Sequence, residues 1–242
     1  MTVLQEWQAR EPLLFATAAG HLGLLVLLLV AGRAERWVKP MKFCASIAIY
    51  MGSMAWYWPL AVASSGAKQV AAMVLAGTLI LEMVWIVGQA ARGVRSHFNV
   101  ATALDALAFQ MAGVVIVINV ATAGLVGWWT MGTEGTAYVW GVRLGVLSFV
   151  VFAMEGAVMA RRLAHSVGVP DGGPGLPVVR WSTKGGDLRV AHFVGMHALQ
   201  VLPVLGFLTE SVAVVAGAFL VWVGVSAGVM VQALRGRPLV KG

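Results

Sequence analysis

Seven long apolar runs constrain this chain more than any other feature of its sequence. An α-helix of about 20 residues is long enough to cross the hydrocarbon core of a bilayer. The runs cover residues 13–32, 43–63, 69–91, 102–126, 136–160, 188–208 and 211–234. Composition agrees, because only 11% of the 242 residues are charged, whereas a soluble domain carries about 25%. We therefore predict an all-α fold, with residues 1–242 forming a single seven-transmembrane helix bundle whose first run is retained rather than cleaved as a signal peptide.

The basic residues predict the orientation of this bundle. Only Arg10 and Lys68 lie in segments on the N-terminal side, and Arg143 lies inside the fifth run. By the positive-inside rule, the N-terminus is outside and the C-terminus is cytoplasmic, in a bacterial inner membrane. The opposite side carries 14 basic residues, namely Arg33, Arg36, Lys39, Lys42, Arg92, Arg95, Arg161, Arg162, Arg180, Lys184, Arg189, Arg235, Arg237 and Lys241.

The net charge of +7 is thus explained by the topology, and we predict that the basic residues contact anionic lipids at the cytoplasmic face. Binding to nucleic acid would need a soluble basic face, and we predict none. Whether the protein is a homo-oligomer is left open.

A few ionisable side chains lie inside the predicted spans. Placing such a side chain in a membrane is costly, and one that is found there usually has a function. Under the predicted topology most of them fall in the cytoplasmic half, while His21 lies near the middle of the bilayer. We predict that Glu82, Glu155 and Asp105 carry any proton transfer or catalysis. The other cytoplasmic-half candidates, which would bind a cofactor, are Gln89, His97, Arg189, His192, His197 and Gln200.

The sixth predicted span concentrates this polarity. At about 100° per residue, Phe193, His197 and Gln200 share one stripe, and Arg189 and His192 share another. The two histidines therefore do not form the i,i+4 chelating pair of an HExxH motif. Pro203 follows and removes one helical hydrogen bond, which indicates either a site or a tolerated kink.

A cytoplasmic loop rich in glycine and proline, residues 161–187, precedes this span. Its length is typical of a functional or mobile segment, so it is either a lid or a linker. Asp187 is well placed to cap the helix that follows.

The residues from Trp181 to Gln200 contain the pattern WSxxxGDLRxxHFxxxHxxQ, and Ser96-His97-Phe98-Asn99 gives a second element after the third span. Together they resemble an uncharacterised family of bacterial multi-pass membrane proteins with seven helices. The resemblance covers about a fifth of the chain and implies no activity.

Our first functional hypothesis is a histidine-ligated cofactor that is redox-active. Haem b needs one or two imidazoles, for which His192, His197, His97 and His21 are candidates, with Arg189 near the propionates. A transition metal ion would instead use His192 or His197, or both, together with Glu82 or Glu155. Gln89 and Gln200 would orient these ligands.

The alternative hypothesis is a proton-coupled transporter of a small solute. The sequences QAARG at residues 89–93 and QALRG at residues 232–236 lie 143 residues apart, as do Gly52 and Gly195. This spacing is typical of two three-helix repeats joined by a fourth helix, a 3+1+3 arrangement. Glu82 and Asp105 would then carry protons.

Several classes of protein are excluded or left open. The single cysteine, Cys44, excludes an intramolecular disulfide and a cysteine-ligated iron–sulfur cluster. All five lysines fall in predicted loops, so no lysine can attach retinal in the last span. A receptor that signals through a partner chain stays open, and so does the question of whether the protein is an enzyme.

Overall fold

The structure is a computed structural model that describes residues 2–31 and 35–241. Within these ranges the regular secondary structure is helical apart from one small two-stranded sheet, which confirms the predicted all-α class. Arg33, one of the 14 basic residues, lies outside them. The helices are α1 Val3–Arg10, α2 Pro12–Ala31, α3 Val38–Tyr57, α4 Ser65–Ala91, α5 Ala103–Trp129, α6 Ala137–Ala153, α7 Glu155–Arg162, α8 Leu188–Thr209 and α9 Val212–Leu234.

Six segments of the described chain are long and apolar enough to cross a membrane. They match six of the seven predicted runs. The second run corresponds to α3, a 20-residue helix that is less apolar than the others and has ten buried residues. A helix enclosed by its neighbours needs less apolar surface, because little of it has to face lipid. The six segments are Pro12–Ala31, Ser65–Ala91, Ala103–Gly132, Ala137–Arg162, Leu188–Thr209 and Val212–Leu234.

Two helices begin earlier than predicted, so three lysines expected in loops lie in helices. Lys39 and Lys42 belong to the first turns of α3, and Lys68 belongs to α4. The start of α4 is set by the Ser64 hydroxyl, which accepts a hydrogen bond from the amide of Ala67 at 3.3 Å. A capping side chain can start a helix before the apolar run begins. The exclusion of covalent retinal stands, because α9 contains no lysine.

The chain forms two compact units, Met1–Thr133 and Glu134–Gly242. In the first unit, α2 packs on α3 and α4 packs on α5. A polar contact joins three of these helices: Tyr50 donates to Asn119 Oδ1 at 3.1 Å, and Asn119 Nδ2 donates to Thr78 Oγ1 at 2.7 Å. Such hydrogen bonds between helices fix their relative positions where no water competes.

In the second unit α6 and α8 lie unusually close together. A Cβ atom on Gly141 would lie 2.5 Å from the carbonyl oxygen of Leu202, and one on Gly145 would lie 2.9 Å from that of Ala198. These glycines form a small-xxx-small pair that allows the backbones to approach. The similar pair in α9, Gly224 and Gly228, has nothing within 4 Å of such an atom.

Candidate functional site

Polar side chains of the first unit converge where α4 ends and α5 begins, a region that we call the α4–α5 corner (Glu82, Gln89, Arg92, His97, Asp105). The loop between the two helices is folded back onto α4, because Trp85 Nε1 donates to the carbonyl of Ser96 at 2.8 Å. Phe98 adopts a left-handed conformation with φ 57°. His97, which lies between Ser96 and Phe98, is thereby placed against α4.

Glu82 and His97 face each other inside this corner. His97 Nε2 lies 3.3 Å from Glu82 Oε1, and the Glu82 side chain is only 1% exposed. The contact is at ion-pair distance but is not an aligned hydrogen bond, and neither oxygen of Glu82 has a hydrogen-bond partner among the described residues. Leaving a buried carboxylate so poorly satisfied is costly, and such groups are usually functional.

The imidazole of His97 lies among aromatic rings. The ring centroids of Phe43 and Phe109 are 5.6 Å and 6.3 Å from that of His97. Burial lowers the pKa of His97, the contact with Glu82 partly opposes this shift, and the nearby charge of Lys39 adds to it. The net pKa is below the usual 6.5, so the neutral ring is favoured.

Unlike Glu82, Asp105 has hydrogen-bond partners for both of its carboxylate oxygens. Its Oδ1 accepts hydrogen bonds from Gln89 Nε2 and from the Arg92 guanidinium, both at 2.9 Å. Its Oδ2 accepts from the hydroxyl of Thr102 at 2.9 Å, and that hydroxyl in turn caps α5 by accepting from the amide of Asp105 at 3.1 Å. This network clamps the end of α4 to the start of α5.

The second unit contains a buried carboxylate of its own. Glu155 is 4% exposed, and neither of its oxygens has a hydrogen-bond partner among the described residues. It follows Met154, where the helical run changes from α6 to α7. Near this junction His192 Nδ1 donates to the carbonyl of Phe152 at 2.8 Å, and His192 Cε1 lies 4.0 Å from a Cβ atom built on Gly156.

The predicted stripe on the sixth span is present on α8. The ring centroids of Phe193 and His197 are 4.2 Å apart, and those of Phe193 and Trp181 are 5.6 Å apart. His197 Nδ1 bonds Gln200 Oε1 at 3.0 Å. Trp181, Phe193, His197 and Gln200 therefore form one continuous row, and α8 continues through Pro203 to Thr209.

The glycine- and proline-rich loop is folded. The strands β1 Ser166–Val167 and β2 Gly186–Asp187 pair antiparallel in it. Asp187 caps α8 as predicted, accepting from the amide of Arg189 at 3.1 Å, and it also pairs with the Arg189 guanidinium.

Asp171 organises the start of this loop. Its Oδ1 accepts from the amide of Ser166 at 2.8 Å and lies 3.4 Å from His165 Nδ1. Burial raises the pKa of Asp171, but the amide hydrogen bonds and the charge of His165 outweigh that effect, so the pKa is below its usual value.

The structure thus assembles some of the predicted site residues and gives others separate partners. Glu82 lies at ion-pair distance from His97, and Gln89 donates a hydrogen bond to Asp105. Among the described residues no group of three or more His, Cys, Asp or Glu side chains is placed to hold a metal ion. The metal site predicted from His192, His197 and Glu82 has no support in this geometry.

Sequence reasoning missed Arg92 and Thr102. A signal for Thr102 was present, because Thr102-x-x-Asp105 before an apolar run is the pattern of a helix cap. Arg92 is separated from Gln89 by one helical turn, which places both side chains on one face.

Six apolar helical segments, with ionisable side chains buried among them, define a helical membrane protein. No family model, curated protein or solved structure matches this chain.

Proposed function

We propose that the protein spans the inner membrane of a bacterium seven times, with its N-terminus outside and its C-terminus in the cytoplasm. Support comes from α3, which is as long as α2 although less apolar. An odd number of spans also agrees with the charge distribution, because it collects 14 basic residues on one side against two on the other. Those basic residues would contact anionic lipids. We also propose that the chain belongs to the family of bacterial multi-pass membrane proteins that it resembles.

We further propose that the protein couples proton movement to transport of a small solute, with Glu82 and His97 as its proton-binding pair. The observation that carries this proposal is the 3.3 Å approach of His97 Nε2 to a carboxylate that is 1% exposed and has no aligned hydrogen bond. The pair can hold one proton on either group. Between the two hypotheses drawn from the sequence, this geometry favours the transporter over the metal site.

The contrast with Asp105 assigns roles within the α4–α5 corner. The ion pair with Arg92 and two further hydrogen bonds stabilise the charged form of Asp105, which makes it a poor proton carrier. Among the described residues Glu82 has no such fixed donors, and its ionisable neighbour is the imidazole of His97 at 3.3 Å. We therefore assign proton binding to Glu82 and His97, and we assign Asp105 a positioning role.

The division of the chain supports the 3+1+3 arrangement. The boundary between the two units falls between α5 and α6, so that α2, α3 and α4 belong to one unit and the last three spans to the other. The echoed glycines also play matching roles. Gly93 and Gly236, 143 residues apart, each follow the end of a helix with φ near +70°.

Uptake by proteoliposomes tests the transport proposal. With an imposed gradient that is acidic outside, we expect at least one class in a panel of labelled sugars, amino acids, organic acids and amines to accumulate. A protonophore should abolish this accumulation. In Glu82→Gln, gradient-driven accumulation should be lost while solute exchange persists, because glutamine mimics the protonated state.

Glu134→Gln is the matched control, since Glu134 is an exposed carboxylate between α5 and α6. It should transport like the native protein. Undiminished accumulation in Glu82→Gln would refute the assignment of Glu82. Failure of the whole panel to exceed protein-free liposomes would refute proton-coupled transport of these solute classes.

A histidine-ligated haem is the second candidate, and one observation on α8 favours it. His192 Nδ1 lies 2.8 Å from a carbonyl, which can only accept, so this nitrogen carries the proton. His197 Nδ1 is held by Gln200. Each ring therefore has its Nδ1 engaged by the protein, which leaves Nε2 as the nitrogen for a metal, the arrangement that metal-ligating histidines use. A haem would supply electron transfer, with Arg189 near its propionates.

The visible spectrum of the detergent-purified protein tests this second candidate. Haem ligation predicts a Soret band that is lost in His192→Ala or His197→Ala and kept in His165→Ala. A protein that stays colourless after incubation with haemin would contradict it.

A further inference from the structure

The first unit contains a cavity that the proposed function does not use. It has a volume of about 500 Å³ and lies between α2 and α4, with lining residues that include Leu13, Leu24, Ile80 and Val87. This volume is within the range of small-molecule sites. Glu82 is not among the lining residues, because it lies on a different face of α4.

Among the described residues that line the cavity, His21 alone is titratable. The residue is 6% exposed, and its Nδ1 lies 2.7 Å from the carbonyl oxygen of Thr17. Because a carbonyl can only accept, Nδ1 carries a proton, and a ring with that single proton has its lone pair on Nε2. No described residue bonds that nitrogen, which leaves an acceptor at the wall of the cavity.

The other polar lining residue is Thr17, and it also offers no donor. Its hydroxyl donates a hydrogen bond to the carbonyl of Leu13 at 2.8 Å. The remaining walls are apolar, so the cavity combines hydrocarbon surface with acceptors alone. An ordered water usually needs two to four polar partners, and this cavity is poor in them.

The geometry points to a lipid-soluble molecule that bears a ring hydroxyl, of the quinol class. Its hydroxyl would donate to His21 Nε2, and its ring and tail would fill the apolar space. Gly20 lines the cavity without a side chain, and a Cβ atom there would meet nothing within 4 Å. The missing side chain leaves room for a flat ring. A lipid acyl chain would use the same surface but would leave Nε2 without a donor.

Calorimetry under anaerobic conditions, with detergent-solubilised protein, tests this site. The probes are a benzoquinol with a decyl tail and its dimethyl ether, which lacks the donor. We expect saturable binding of the quinol to the native protein and binding of the ether that is weaker by about two- to ten-fold, the usual worth of one hydrogen bond.

Two glycine variants make a matched pair for the same measurement. Gly20→Leu should abolish binding because its side chain fills the cavity. Gly23→Leu should bind normally, since Gly23 is on the same helix, also faces open space and does not line the cavity.

In His21→Phe the quinol and the ether should bind equally. If that variant does not fold, the native protein with its two probes and the glycine pair decide the question. Equal affinity of the two probes for the native protein would overturn the proposal in favour of an acyl chain. Unchanged binding in Gly20→Leu, or uptake that does not saturate, would overturn it as well.

Discussion

At the scale of single residues, the surroundings of a buried side chain matter more than its identity. Glu82 and Asp105 are both acids near the α4–α5 corner, and their sequence positions alone give them the same expected role. Asp105 has an arginine, a glutamine and a hydroxyl around it, whereas Glu82 has one imidazole at 3.3 Å. The contact between Glu82 and His97 depends on the way the loop after α4 folds back onto that helix, and no pattern in the sequence predicts this fold.

The lowered pKa of His97 gives a prediction for the pH dependence of stability. The unfolded chain binds a proton near pH 6.5, but the folded chain binds it only at lower pH. The unfolded state therefore holds more protons in this window, and stability should fall as the pH is lowered through it. We expect the thermal unfolding midpoint in detergent to drop between pH 7.5 and pH 5.5, and to drop less in His97→Phe.

Phe43→Leu is the control for loss of packing around the ring. It should lower the midpoint at both pH values without changing the difference between them. A native protein whose midpoint is the same at both pH values, or a difference that His97→Phe leaves intact, would contradict the role given to His97.

At the scale of elements, helix limits and caps were partly predictable. Asp187 was identified as a cap from its position before an apolar run, and the structure confirms it. The starts of α3 and α4 were predicted too late, because an apolar run shows where lipid or core begins and not where the backbone becomes helical. Which glycine pair packs was not predictable, since Gly141 and Gly224 have the same small-xxx-small spacing.

A pair of alanine variants tests the role of these glycines. Gly141→Ala should destabilise the protein by about 1–3 kcal/mol, because its Cβ would lie 2.5 Å from the oxygen of Leu202 and 2.7 Å from the Cα atom of Pro203. Gly224→Ala should be neutral or slightly stabilising, because nothing lies near it and alanine favours a helix. Thermal unfolding in detergent measures both variants. Equal effects would mean that α6 and α8 do not approach as described.

At the scale of the whole molecule, the proposed function depends first on topology. We predict that α3 crosses the membrane, so the segments before and after it lie on opposite sides. In a Cys44→Ser background, Glu35→Cys should react with a membrane-impermeant maleimide only after the cells are opened, and Val62→Cys should react in intact cells. Labelling of both positions from the same side would rule out the seven-span arrangement.

The sequence by itself determined where the long apolar helices lie and that this is a helical membrane protein. Apolar runs of about 20 residues can be satisfied in lipid only as helices, so the presence of these helices follows from local composition. The asymmetry of the basic residues is likewise readable without a structure. Tertiary structure alone decided that Glu82 faces His97, that Arg92 and Gln89 hold Asp105, and that the apolar cavity beside His21 presents acceptors. Each of these facts depends on contacts between segments distant in the chain or on the direction of a single hydrogen bond, and local composition does not encode either.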